Sequence, residues 1–449
     1  MIRPSLRRLA LSMVLVMVCF SSAYADTVRD FTLSNGLKVI FAPVEDHDVI
    51  ALQYVMPGTS LRQTEANAGI ESLLLKTMVE GSQAFPKDVL RRELEKIGSY
   101  LIPDATRDAS TLGLTCIRPF FARTLELYAD VLSHPALDPA EFERLREAQL
   151  AEIRMKMDNP DSHLALVVND AFFAGHPYHN ELDGTEKSVS ALKIADLKAH
   201  HERLLRGADS FLVVVGKLDK DELQKLLEPV FGKLPRNLLV GTGLPDFIPT
   251  ENTLVTAERD QPAKFILGKF TAPAPNSPDY PALKVGMEIL SYRFWEEVRT
   301  KKGLAYAVMA ALGQNTKNYG AIYLSTTDET AALDTIYREI KRFLDTPVAA
   351  DELTSTKAVH RTNFYMENES AMEQARFLTF GELYLGGYAN RARIEEEIRA
   401  VRPSDIQTVA KHTMKNILFG VAGPLGSLNR EAFTPFATLG HNGNGNKAP

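Results

Sequence analysis

The chain has 449 residues, of which 45% are apolar and 24% charged, an ordinary globular composition long enough for two or more domains. A formal charge of −6 offers no basic face for nucleic-acid phosphates. Two cysteines are too few for a disulfide framework or a thiolate metal cluster.

Arg3, Arg7 and Arg8 precede a short apolar run at 9–20 and the small-x-small triplet Ala23-Tyr24-Ala25. That is the pattern of a signal peptide over 1–25 and of export to a bacterial periplasm. The run is too short for a membrane anchor, which takes about 20 residues, and the bulky Val18 before Cys19 argues against lipoprotein processing. Cleavage removes the three arginines, takes the charge from −6 to −9 and leaves Cys116 as the one cysteine. A lone thiol in an oxidising compartment is expected to be buried and inert.

Residues 31–41 predict a hairpin, with Asn35-Gly36 as the tight turn between two alternating apolar runs. A second strand is predicted at 49–56. At 68–79 the residues Ile70, Leu73, Leu74, Thr77 and Met78 fall at helical spacing, and Gly81 follows as a stop. Helices are predicted at 120–132, 139–157, 191–206 and 219–230, with a compact apolar strand at 210–216. Residues 234–250 carry three prolines and two glycines and break the pattern.

The second half repeats the same kinds of element. Strands are predicted at 265–270, 319–326 and 418–422. Helices are predicted at 280–290, 330–344, 351–385 (broken near Glu369) and 402–414. The polar tail at 441–449 reads as disordered. The repetition predicts an α+β fold of two homologous α/β sandwich domains, each a mixed sheet with helices packed mainly on one face. The expected division is an N-terminal domain at 26–235, a linker at 236–250 and a C-terminal domain at 251–440.

The phrase GIESLLLKTMVEGS at 69–82, set in this element order, resembles the insulinase/pitrilysin zinc peptidases of the short bacterial two-domain type. The resemblance covers nearly all of the chain after the leader. It implies a helix carrying H-x-x-E-H, in which two histidines hold zinc and the glutamate polarises a bound water. Here Ser72 and Lys76 stand at the histidine positions and Leu75 at the glutamate position. Glu152, 76 residues beyond Lys76, matches the family's third ligand. A hydroxyl, an alkyl group and an ammonium make no zinc site, so no metal is expected in this chain. His200 and His201, adjacent on a helix, point about 100° apart and are poorly placed for joint ligation. His176-Pro-Tyr-His179 reads as a structural loop.

The phrase EEVRTKKGLAY at 296–306 resembles the family's R/Y motif. The resemblance implies that Arg299 and Tyr306 reach into a zinc cleft, the guanidinium forking to substrate carbonyls and the hydroxyl donating to the oxyanion. One departure is that Leu290-Ser-Tyr-Arg-Phe294 replaces the family's glycine- and serine-rich turn before this helix. The resulting expectation is a non-catalytic subunit of a heterodimeric periplasmic zinc endopeptidase, inactive alone. Its partner would be a catalytic subunit of the same family that brings the zinc, and its substrates peptides. The alternatives are a peptide-binding or assembly scaffold without a catalytic role and, on paper, a Ser72/Lys76 nucleophile pair.

Overall fold

The computed structural model describes residues 28–205, 209–235, 243–247 and 253–439. The leader at 1–25, most of the 236–250 segment and the 441–449 tail lie outside the described residues.

The first half carries strands β1 (Arg29–Thr32), β2 (Lys38–Pro43), β3 (Val49–Pro57), β4 (Tyr100–Ala105), β5 (Ala109–Ile117) and β6 (Phe211–Gly216). Its helices are α1 (Ile70–Met78), α2 (Lys87–Ile97), α3 (Phe121–Ser133), α4 (Pro139–Asp158), α5 (Pro160–Phe172), α6 (Glu186–Ala191), α7 (Ile194–Leu205) and α8 (Lys220–Phe231). The second half carries β7 (Leu254–Glu258), β8 (Lys264–Ala272), β9 (Ala307–Leu312), β10 (Asn318–Thr326) and β11 (Leu418–Gly423). Its helices are α9 (Tyr280–Phe294), a π-helical segment (Trp295–Lys301), α10 (Glu329–Asp345), α11 (Ala350–Glu367), α12 (Ala371–Tyr384), α13 (Arg391–Ala400) and α14 (Pro403–Thr413).

The strand orders are β1-β2-β6-β3-β5-β4 and β7-β11-β8-β10-β9. In both sheets one parallel pair, β2 with β6 or β7 with β11, adjoins a run of antiparallel pairs. The second sheet therefore repeats the last five strands of the first in order and sense. The repeat makes α1 and α9 equivalents, since each lies between the third strand of that series and the sheet's edge strand. The fold is α+β, as the repetition in the sequence predicts. The Asn35-Gly36 turn joins β1 to β2, and Gly36 takes φ +85°.

Each sheet packs one face on its own half's helices. The first core gathers Leu52, Leu73, Leu74, Leu114, Leu125 and Phe231. The second gathers Ile266, Leu283, Phe294, Ile322, Phe343 and Ile406. The opposite faces are covered by an exchange between the halves. Ala371, Met372, Ala375 and Leu378 of α12 pack on Ala51, Val55, Val213 and Val215 of the first sheet. Leu164, Val168 and Phe172 of α5 pack on Ala257, Leu418 and Ala422 of the second. The buried carboxylate of Asp108 ties the halves further. It accepts from the Tyr178 hydroxyl, the Tyr384 hydroxyl at 3.0 Å and the Thr316 backbone N–H at 3.0 Å. Cys116 lies buried in β5, where desolvation pushes its thiol up to about 11. Among the described residues no helix is long and apolar enough to cross a membrane.

Candidate functional site

Helix α1 starts from Gly69, whose φ of +91° suits glycine. A Cβ at Gly69 would stand 2.6 Å from the Asp183 carbonyl oxygen, and one at Gly184 2.3 Å from the Ala68 carbonyl oxygen. Two glycines thus let the 183–185 loop lie directly against the start of the helix. The Gln149 side-chain amide closes the junction by donating to the carbonyls of Gly69 at 3.1 Å and Asp183 at 2.9 Å.

This packing delivers two carboxylates to the positions at which the family's helix would carry metal ligands. Ser72 Oγ donates to Asp183 Oδ1 at 3.0 Å, and Lys76 Nζ donates to Glu152 Oε2 at 2.9 Å. Lys156, one turn beyond Glu152 on α4, donates to Asp183 Oδ2. Burial pushes the Asp183 carboxyl up, but the Lys156 ammonium, Ser72 and Lys76 outweigh it and hold the carboxyl below its usual range. Leu75 is buried in the first core. Lys76 thus sets a fixed positive charge against Glu152, and the hydroxyl and the alkyl group add no ligand, so these residues do not fit a zinc ion. No hydrogen bond joins Ser72 to Lys76; each turns to a different carboxylate. Among the described residues no three His, Cys, Asp or Glu side chains gather in a way that could hold a metal.

The neighbouring Glu71 faces the interior. It accepts from Arg62 Nε at 3.1 Å, from His200 Nε2 at 3.0 Å and from Ser110, all within the protein. His201 turns the other way, to the Leu132 carbonyl oxygen at 2.8 Å. The adjacent pair is therefore split between two structural bonds. His176 makes a local bond too, accepting from the Tyr178 N–H at 3.0 Å.

The second set of residues sits on the equivalent helix of the other half. The sequence predicts a helix end near 290, yet α9 continues to Phe294 and runs on as the π-helical segment. Its continuation is built from burial: Leu290 and Phe294 enter the core, and Arg293 pairs with Glu352 through two bonds of 2.7 Å. Gly303, at φ +63°, ends the segment. Its N–H donates to the Arg299 carbonyl at 3.0 Å, and Leu304 N–H to that of Val298 at 2.8 Å. The chain then turns into β9, with Tyr306 N–H on the Ser325 carbonyl at 3.1 Å.

This turn brings Arg299 and Tyr306 together. The guanidinium carbon of Arg299 lies 5.4 Å from the centroid of the Tyr306 ring and 3.9 Å from that of Trp295. Tyr306 is 83% exposed and its hydroxyl is unengaged among the described residues. No hydrogen bond, ion pair or ring contact links Arg299 or Tyr306 to Ser72, Leu75, Lys76 or Glu152. Asp183, Lys156 and Trp295 escape a reading of the sequence. Asp183 opens the phrase Asp183-Gly184-Thr185, which fits the family's fold but names no contact with Ser72, and Trp295 is marked only by being the chain's single tryptophan.

The sequence matches the family described as Insulinase (Peptidase family M16) over residues 47–186, and the Peptidase M16 inactive domain over residues 191–359. It is 25% identical over 421 residues to an uncharacterized zinc protease of Mycobacterium bovis, covering 89% of this chain and 94% of that one. The fold is similar to the peptidase M16 inactive domain from Pseudomonas fluorescens, with a TM-score of 0.77 and 21% identity over 88% of this chain and 98% of that one. It is also similar to the periplasmic protease PqqL from Escherichia coli, with a TM-score of 0.78 and 17% identity over 90% of this chain and 46% of that one. With two such sheets, the paired helices α1 and α9 and these matches, the chain belongs to the insulinase family of zinc peptidases, as a member whose metal positions are degenerate.

Proposed function

We propose that the chain is the non-catalytic subunit of a heterodimeric zinc endopeptidase. A partner of the same family brings zinc and the water-activating glutamate of an intact H-x-x-E-H helix. This chain brings Arg299 and Tyr306. The observation that carries the reading is a contrast between two equivalent helices. On α1 the ligand positions are closed by a serine, a core leucine and a lysine bound to Glu152. Past α9, Tyr306 is 83% exposed and Arg299 is half-buried, and neither has an acidic partner among the described residues. An exposed phenol can donate to the oxyanion forming on a scissile carbonyl, and a guanidinium can fork to flanking carbonyls. The similarity to a periplasmic protease supports export, with 1–25 as the cleaved leader and two peptidase-like domains at 26–235 and 251–440.

The test is zinc content and peptidase activity of the mature chain, alone and mixed with a family partner encoded beside it. The expected outcome is neither zinc nor activity alone, and activity on mixing. Tyr306→Phe should then lower kcat of the mixture roughly a hundred-fold with its zinc content unchanged. Stoichiometric zinc in this chain alone, or unchanged turnover with Tyr306→Phe, would sink the proposal.

A further inference from the structure

We infer that Trp295 is a positioning residue for peptide binding: its ring takes the place of an acidic partner for Arg299 and presents the guanidinium to the backbone of an extended peptide. The inference rests on the reading of Arg299 as a peptide-contacting residue and adds the residue that holds it.

Trp295 is the only tryptophan of the chain and is 45% exposed. Its ring centroid lies 3.9 Å from the Arg299 guanidinium carbon, a stacking distance, and Tyr306 stands 5.4 Å away from the same atom. The acidic side chains of the same turn are taken. Glu297 binds Lys301 at 2.7 Å and Glu296 lies 3.7 Å from that ammonium. Lys302 turns away to Thr335 Oγ1 at 3.0 Å. Among the described residues nothing accepts from the five N–H donors of the half-buried Arg299. The guanidinium is held by a face, and its edge donors have no acceptor among the described residues.

The backbone contributes to this arrangement. Residues 295–301 form a π-helix, a form often found at functional sites. Trp295 and Arg299 lie one turn apart on it, and Tyr292, 67% exposed, lies one turn before Trp295. The resulting series sets one cation, Arg299, among three aromatic rings: Tyr292, Trp295 and Tyr306. An extended peptide fits such a series. Its planar amides lie on the rings, and its carbonyls accept from the guanidinium edge.

The test uses the full mature chain and a labelled, tryptophan-free unfolded peptide, with binding read by fluorescence anisotropy and the stack by Trp295 emission. Peptide should bind saturably and shift the emission, and Arg299→Ala should shift the emission of the free chain. Trp295→Ala should weaken binding about five-fold, and Trp295→Phe should restore most of it. In the mixture with the catalytic partner, Trp295→Ala should raise KM with kcat retained, the mark of a group that acts in binding alone. Equal affinity for wild type and Trp295→Ala overturns the inference. So does a loss that Trp295→Phe fails to restore, or an emission indifferent to both Arg299→Ala and peptide. The lone chain suffices for the binding arm. A mixture whose turnover ignores Tyr306→Phe, while Trp295→Ala weakens peptide binding, therefore sinks the subunit proposal and leaves the Trp295 role standing.

Discussion

Glu71 and Ser72 are neighbours on one helix and meet opposite fates. Ser72 faces the 183–185 loop, whereas Glu71 has no exposed surface and carries its charge into the first half's interior. Such a charge survives only when paired and fully bonded. Desolvation drives the Glu71 carboxyl up, but Arg62 and His200 overcome it and hold the pKa at about 2, against 4.5 for a free glutamate. The folded pKa is depressed, so the stabilisation is complete above the unfolded pKa and is lost as pH falls from there towards 2. Glu71→Gln should lower the unfolding free energy by about 3 kcal/mol at neutral pH. In denaturant titrations that deficit should shrink once pH drops below the unfolded carboxylate value. A deficit independent of pH would show that Glu71 acts through shape and not charge.

At the same scale, the sequence made legible what is missing from α1 and not what replaced it. The spacing of H-x-x-E-H points to Ser72, Leu75 and Lys76, and the third-ligand position points to Glu152. That Lys76 and Glu152 bind each other follows once both are placed beside one metal position, because the lysine supplies the positive charge the carboxylate would otherwise give to zinc. Asp183 lies 111 residues from Ser72, and no periodicity connects them. Only the interlocked Gly69 and Gly184 reveal the approach, and a glycine in a sequence does not name the backbone it lets in.

Elements show the same asymmetry. The Asn35-Gly36 turn and the apolar strand at 210–216 announce themselves by local chemistry. The continuation of α9 into a π-helix does not, since its cause is the burial of Leu290 and Phe294 and the Arg293–Glu352 pair made across to α11. The edge strands β4 and β9, and β5 beside β4, escape the sequence pattern too, β4 and β9 being short and only partly buried. Glycines in these elements separate strain from crowding. At Gly303 a Cβ meets nothing within 4 Å but the backbone is left-handed, so Gly303→Ala should cost about 1 kcal/mol, all of it conformational. At Gly420 a Cβ would stand 2.2 Å from Val168 Cγ2 of α5, so Gly420→Ala must push that helix off the second sheet. It should cost about 1–3 kcal/mol. A second change, Val168→Ala, should recover part of the loss for Gly420→Ala and none for Gly303→Ala. Thermal unfolding of the two double variants decides between the causes; equal recovery in both would refute the crowding at Gly420.

At the scale of the molecule, two α/β halves do not stand as separate sandwiches, because each lends a helix to the other's sheet. The sequence predicts no helix at 160–172, and that Leu164, Val168 and Phe172 meet Leu418 and Ala422 is a long-range fact that periodicity cannot encode. The consequence concerns cooperativity. Without α12, the first half would bare Ala51, Val55, Val213 and Val215 in one sheet face, and without the second half α5 would bare its own stripe. Contiguous apolar faces of that kind drive association. Separately expressed segments 26–235 and 251–440 should therefore be insoluble or bind a hydrophobic dye, whereas co-expression should recover a complex. The intact chain should unfold in a single calorimetric transition whose van't Hoff and calorimetric enthalpies agree. The Asp108 cluster sharpens the test. Asp108→Leu removes the acceptor shared by Tyr178, Tyr384 and Thr316, and so loosens the junction while leaving both cores intact. The expected result is one broadened transition at lower temperature. A clean division into two transitions, with segment 26–235 soluble and folded alone, would instead mean that the exchanged helices dock on finished domains and are no part of their folding.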